Sequence, residues 1–216
     1  EALNHRGPDD FGISSGKNYS TYFWRLSIVD REFGKQPMKS YDQTVTLLFN
    51  GEIYNYLDIR NQLSEDYKFR TKSDTETIIA AYKKWGKECF DYFEGMFSIV
   101  IIDHKKNRII LSRDLAGVKP MYYFFDGKNL FVSSEYKVFL KSNIIEKKID
   151  QEALKKYIIF QTIPGKSNLV KGINKLIPGE IIEFDLGTCE KISSCQIKLK
   201  KYPKFKSYSE YYECLE

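Results

Sequence analysis

Apolar runs that come in pairs, each pair bent around a short polar segment, limit this chain more than any other feature. Met96-Phe97-Ser98-Ile99-Val100-Ile101-Ile102 and Arg108-Ile109-Ile110-Leu111-Ser112 flank a polar turn from Asp103 to Asn107. Met121 to Phe125 and Leu130 to Ser133 flank Asp126-Gly127, a dipeptide that suits a tight hairpin. Strands joined this way are antiparallel, because a parallel pair needs a long crossover. Val45 to Phe49 reads as a further strand, as does Glu180 to Phe184 after Pro178-Gly179. The 16 Tyr and 15 Phe fit a strand-rich chain.

Helices fill the spaces between. Asn55 is placed to cap a helix through Leu57, Ile59 and Leu63, with Asp58 in the first turn. Ser73-Asp74-Thr75-Glu76 has the form of a capping box, followed by Ile78, Ile79, Tyr82 and Trp85 on one face. A short helix is expected from Lys87 to Glu94, ending at Gly95, and another from Gln151 to Phe160. The whole reads as an α+β layered sandwich and not as a parallel doubly wound sheet.

At 216 residues the chain buries one full core. No apolar stretch reaches membrane-spanning length and no signal peptide opens it, so the expected location is cytoplasmic, without membrane partners. Cys89, Cys189, Cys195 and Cys214 lack metal or redox spacing and read as reduced structural thiols. Six lysines between Lys191 and Lys206 meet no acid, but without an arginine or an RNA-binding motif they read as a solvated linker face, not a nucleic-acid site. Residue 1 is Glu and the last residues, Tyr211 to Glu216, form a helical pattern without a cap, so both ends read as cut from something longer.

Asn50-Gly51 carries two readings. On local physics it is a turn closing the strand before it. An asparagine amide beside a glycine N–H is also the donor pair that holds an oxyanion.

Set in order, the motifs are His5-Arg6-Gly7-Pro8-Asp9-Asp10, Arg25-Leu26-Ser27-Ile28-Val29-Asp30, Gln36-Pro37-Met38 and Asn50-Gly51-Glu52-Ile53-Tyr54-Asn55. Ser73-Asp74-Thr75-Glu76, Gly95-Met96-Phe97-Ser98, Arg113-Asp114-Leu115-Ala116-Gly117-Val118-Lys119-Pro120 and Ser134-Glu135-Tyr136-Lys137 follow. In this order and spacing the chain resembles the glutamine amidotransferase domain of the glutamine-hydrolysing asparagine synthetase family, over residues 3 to about 185. The resemblance implies the N-terminal-nucleophile fold, an αββα sandwich of two antiparallel sheets between helix layers. It divides the chain into an amidotransferase domain at 1–185 and, at 186–216, a linker with Pro203 to Ser207 and the first helix (Tyr208 to Glu216) of a synthetase domain.

The resemblance also assigns the site. Arg25 matches the arginine that holds the glutamine carboxylate, and its planar fork suits two oxygens. Asp74 matches the ligand of the substrate ammonium, a role compatible with helix capping by Ser73, and Glu52 sits where the family has a second acid. Asn50 and Gly51 match the oxyanion hole. His5 to Asp10 and Arg113 to Pro120 are expected to shape the pocket. His5 is read as structural, because in this family the base is the α-amine of an N-terminal cysteine. An α-amine near pKa ~8 and a thiol near ~8.5 exchange protons at neutral pH. That cysteine is expected upstream of Leu3, none of the four cysteines here can replace it, and the chain alone is expected to be inactive. Phe23-Trp24 departs from the polar or basic pair commoner before the arginine.

This domain is expected to take glutamine and no cofactor. ATP and Mg belong to the synthetase domain, whose S-G-G-x-D-S phosphate loop does not occur here and which is the expected partner in cis, delivering ammonia to an activated aspartate. A homodimer of the intact enzyme is among the partnerships the resemblance allows. Alternatives remain: an amidotransferase of the same family acting on a cell-surface sugar or peptide carboxylate, or a catalytically dead glutamine-binding or regulatory module. Phosphoribosylpyrophosphate and glucosamine-phosphate amidotransferases share parts of the pattern but carry an aromatic where this chain has Leu26.

Overall fold

The computed structural model describes residues 2–199. Strands β1 (Asp10–Gly16) and β2 (Tyr19–Arg25) form a two-stranded ribbon, with Asp10 opposite Arg25. A six-stranded antiparallel sheet holds β3 (Met38–Lys39), β4 (Val45–Ile53), β5 (Gly95–Asp103) and β6 (Arg108–Arg113). A three-stranded sheet holds β7 (Tyr122–Phe125), β8 (Leu130–Ser133) and β9 (Asn174–Lys175), and β10 (Glu180–Asp185) and β11 (Lys191–Gln196) complete the larger sheet. Its order is β11-β10-β6-β5-β4-β3. Both expected hairpins are present, as β5–β6 and β7–β8.

Alternation along these strands builds two cores. Leu47, Phe49, Phe97, Ile99, Ile101 and Ile110 face helices α1 (Tyr56–Leu63) and α2 (Asp74–Trp85). Ile102, Ile109, Leu111, Ile182 and Phe184 face the other way, against Met121, Tyr123 and Leu176 beside the three-stranded sheet. That sheet's outer face is covered by Phe139 of α3 (Lys137–Lys141), together with Ile145 and Ile173. A fourth helix, α4, runs over Gln151–Phe160, the expected span. The layers therefore run helix, sheet, sheet, helix. The second sheet layer is in two pieces, because β1–β2 and β8–β7–β9 are not hydrogen-bonded to each other.

Several local expectations change. Asn50-Gly51 is not a turn: β4 runs on to Ile53 and pairs Asn50 with Ser98 and Gly51 with Phe97. Gly51 has φ 153, and a Cβ there would come within 2.0 Å of the Met96 carbonyl oxygen. The glycine thus permits close approach of two strands in a backbone region other residues avoid. Asn55 precedes α1 but does not cap it, since its amide reaches across to Tyr92 O and Glu94 N. Leu57, expected on the apolar face, is exposed. Ser73 does cap α2, accepting from Thr75 N at 3.0 Å, but Glu76 does not return the bond and instead accepts from Arg70 N and Thr71 N.

The helix expected from Lys87 to Glu94 is a 3₁₀ segment, Gly86–Tyr92. Gly86, at φ 62, ends α2, and extended Phe93 follows too soon for an α-helix to form. β11 pairs with β10 at the edge of the larger sheet, with Ile181 opposite Cys195. The linker expected at Pro203 to Ser207 and the helix from Tyr208 lie outside the described residues.

Candidate active site

The two pieces of the second sheet layer leave a cavity of about 740 Å³ against the six-stranded sheet, within the size range of small-molecule sites. Arg25, Gln36, Asn50, Gly51 and Asp74 all line it. Four of the five expected site residues thus meet in one place. The fifth, Glu52, shares the strand face of Asn50 by the period of two and feels the same environment electrostatically, as Asp74 reveals.

Strand phase decides where the donors point. In an antiparallel ladder, successive residues turn their peptide groups alternately toward and away from one neighbour. Phe97 spends its N–H and C=O on Asp114, on the β6 side of β5, so its partner Gly51 has no bond to it. Phe49 bonds outward to the Gln36 side chain, and Ile53 N–H bonds outward to Asp74 Oδ2 at 3.3 Å. Gly51 has the same phase and lies between them. Its N–H therefore points to the outer edge of β4, into the cavity wall. The Asn50 amide, half-buried in that wall, makes no hydrogen bond to any described residue. A side-chain amide and a backbone N–H, adjacent in sequence and both without an acceptor among the described residues, are what an oxyanion requires.

Acid lies on the other side. Asp74 is 4% exposed, and burial, aided by the charge of Glu52, pushes its carboxyl up to about 6 despite the bond from Ile53 N–H. No lysine or arginine pairs with it among the described residues. Two carboxyls without a cation among the described residues suit a cationic ligand group.

Arg25 is buried in the wall, but its fork is not idle. Nη1 donates to Arg31 O at 3.0 Å, and Nη2 to Val29 O at 3.0 Å and Asp30 O at 2.9 Å. Three of its five N–H groups hold the loop after β2, leaving Nε–H and one Nη1–H. The expected open two-oxygen fork is thus occupied by loop carbonyls.

Of the motifs expected to shape the pocket, His5, Arg6 and Lys119 line the cavity, and Arg113 and Asp114 hold the loop that carries Lys119. Arg113 Nε donates to Lys119 O at 2.7 Å and Nη1 to Leu176 O at 2.6 Å, while Asp114 accepts from Phe97 N, Val118 N and Lys119 N. His5 bonds Glu135 at 2.9 Å, on an exposed cluster with Arg6 and Lys137. Burial pushes the Glu135 carboxyl up, but Lys137 and His5 outweigh it and hold it below the usual range. Cys89, Cys189 and Cys195 are free thiols. Cys189 touches the cavity, yet at the far end of the sheet, beside Asp185 and Asn107; five residues of strand, about 17 Å, separate that level from Ser98 and Asn50. Among the described residues no group of potential metal ligands gathers, and no helix is long and apolar enough to cross a membrane.

Two contributors have no role in the sequence reading. Gln36 was legible only as part of Gln36-Pro37-Met38. Asp30 accepts from Lys72 N at 2.7 Å and so ties the loop after β2 to the residue before Ser73-Asp74, a long-range bond with no local signal.

The family described as a glutamine amidotransferase domain matches residues 1–195. Asparagine synthetase [glutamine-hydrolyzing] 1 of Bacillus subtilis is 39% identical over 181 residues, covering 83% of this chain and 28% of the relative. The putative asparagine synthetase [glutamine-hydrolyzing] 2 of Methanocaldococcus jannaschii is 38% identical over 207 residues, covering 86% of this chain and 40% of its own length. The chain thus spans well under half the length of these relatives. In fold it resembles the solved glutamine phosphoribosylpyrophosphate amidotransferase of B. subtilis, with TM-score 0.52 at 19% identity, over 76% of this chain and 32% of that one.

Proposed function

The chain belongs to the glutamine amidotransferase domain family, and on that premise we propose that its cavity binds glutamine and directs hydrolysis of the side-chain amide. The observation that carries this reading is the placement of Asn50 and Gly51, donors without an acceptor among the described residues, in one wall with the buried acid Asp74. In this reading the glutamine ammonium sits between Asp74 and Glu52. The carboxylate is taken by Arg25, whose Nη groups exchange loop carbonyls for substrate oxygens.

The scissile carbon then lies beneath Asn50 and Gly51. A thiolate attacks it, the carbonyl π electrons move to oxygen, and the two donors hold that oxyanion. Collapse expels ammonia, which takes its third proton from the conjugate acid of the base, and leaves a thioester. Water then releases glutamate and restores the thiol. The proposed nucleophile is a cysteine upstream of Leu3 whose α-amine is the base. The 216-residue chain by itself is accordingly proposed to be inactive. The proposed parent passes ammonia to an aspartate activated with ATP and Mg in a synthetase portion outside this chain, in the cytoplasm.

Glutaminase assays on the full-length gene product test this. Asn50→Ala is expected to lower kcat about 10²–10³-fold with a much smaller change in KM, the pattern of a donor used only in the transition state. Equal loss of affinity for glutamine and for its product glutamate would sink the assignment of Asn50.

A further inference from the structure

We propose that Gln36 is a positioning residue for the oxyanion donors, serving as a one-residue strand that fixes the peptide plane next to Asn50; this rests on the glutamine-hydrolysis reading above. The outer edge of β4 has a short partner. β3 covers only Met38 and Lys39, opposite Leu47 and Thr46. The residue before it is Pro37, which has no N–H to continue the ladder. The next rung is made by a side chain. Gln36 Nε2 donates to Phe49 O at 2.9 Å, and Gln36 Oε1 accepts from Phe49 N at 2.6 Å. A glutamine amide presents the same donor and acceptor as a peptide group, and here it uses both on one residue, as a paired strand would.

The position of this rung gives it a consequence. Phe49 C=O and Asn50 N–H belong to one rigid peptide plane. Holding Phe49 O therefore sets the plane from which the Asn50 side chain departs. The following outward-facing group on the same edge is Gly51 N–H. Gln36 thus occupies the edge up to the donors and stops short of them. The residue is 9% exposed, and its own main chain backs onto the ribbon: a Cβ on Gly12 of β1 would lie 1.9 Å from Gln36 O. The ribbon ends in Arg25, so Gln36 stands between the carboxylate arm and the donor strand.

The test uses the full-length gene product with Gln36→Glu and Gln36→Met. The first retains an acceptor for Phe49 N–H but removes the donor to Phe49 O; the second removes both and leaves no charge. Two ligands separate positioning from folding. Glutamate fills the same pocket without a tetrahedral oxyanion, whereas its γ-semialdehyde is captured by a thiol as a tetrahedral adduct that needs the donors. Both variants are expected to bind the aldehyde about 10-fold or more weakly and glutamate within about 3-fold of the unaltered protein, with kcat for glutamine falling and KM nearly unchanged. If Gln36→Glu does not fold, Gln36→Met carries the same comparison. Parallel loss of both ligands, no loss of either, or failure of both variants to fold would assign Gln36 to the fold alone and overturn the proposal. Absence of glutaminase activity in the unaltered protein would instead refute the function reading, and the inference would fall with it.

Discussion

At the scale of a residue, Asp74 is the point where the fold and the proposed function oppose each other. Its carboxyl is 4% exposed, and the backbone N–H groups of Ile53 (at 3.3 Å), Thr75 and Asp74 itself offset its burial only in part. Burial penalises the charged form and lifts the pKa to about 6 from an ordinary carboxylate value of 3.8. The sign of the effect on stability follows. Below pH ~4 both the folded and unfolded chains hold the proton, and there is no penalty. Between about 4 and 6 the unfolded chain releases its proton first, so stability falls as pH rises. Above that window the folded chain carries the whole cost, roughly 2–3 kcal/mol. Asp74→Asn is therefore expected to be more stable than the natural chain at pH 7.5 and nearly equal at pH 4, in urea denaturation at both values. A variant less stable at pH 7.5 would show that the charge is compensated. A cationic ligand reverses the penalty, so glutamine should raise the Tm of the full-length protein more at pH 7.5 than at pH 5. The Ser-Asp-Thr-Glu pattern pointed to Asp74, but only the packing of α2 against β4 reveals how little compensates it. Gly51 makes the complementary case. Gly51→Ala meets Met96 O at 2.0 Å in a backbone region with φ 153, and a loss of at least ~2 kcal/mol is expected by chemical denaturation.

At the scale of an element, caps separate what short sequence windows reveal from what they miss. The pattern points to Ser73 as a cap and does not single out Asp150, yet both side chains accept from the helix they precede, Thr75 N and Ala153 N, each at 3.0 Å. The two donors are alike, since Ala153 is 1% exposed, and the difference lies in the capping side chains, Ser73 buried and Asp150 half-buried. Ser73 is 1% exposed and Thr75 3%, so removing the hydroxyl strands a donor away from water. Ser73→Ala is expected to cost about 1.5–2 kcal/mol, near the top of the range for such caps, and Asp150→Ala about 0.5–1 kcal/mol, because Asp150, unlike Ser73, is only half-buried and its neighbours Gln151 and Glu152 are exposed. Equal losses in urea titrations would show that burial is not what separates them. Hairpins, α2 and α4 were legible for the same reason as the Ser73 cap: their signals lie within a dozen residues. Asn50-Gly51 was misread as a turn because the dipeptide favours one, while its partner, β5, lies some forty-five residues on. Asn55 was misread likewise, its amide being drawn to Tyr92 and Glu94 instead of its own helix. β11 gave no signal because it is almost wholly exposed and shows no apolar alternation.

At the scale of the molecule, ordered motifs revealed the layered architecture, and the division of its second sheet layer was not legible. β2 and β8 both border the cavity, yet neither pairs with the other. Each has an edge with no strand paired to it among the described residues, and such edges recruit further strands. Apolar surface accompanies them. Phe11, Ile13 and Tyr22 are 48%, 58% and 56% exposed on the ribbon, and Tyr157, Ile158, Ile159 and Phe160 are 42%, 64%, 71% and 60% exposed at the end of α4. Four consecutive exposed apolar residues cannot all belong to one helix face, so this turn lacks cover on every side. A few hundred Å² of contiguous apolar surface suffices to drive association. The 216-residue chain is therefore expected to self-associate in sedimentation velocity as its concentration rises. The two sources make separable demands. Ile158→Lys with Ile159→Glu should restore monomer if the helix turn dominates, because charge there does not touch the strand edges. Tyr22→Lys should do so if the ribbon dominates, because a charged side chain on an edge strand resists pairing with a second copy. A chain that sediments as a monomer at every concentration, before any substitution, would show that neither the open edges nor the helix end is adhesive, and that the split layer is stable in water as it stands.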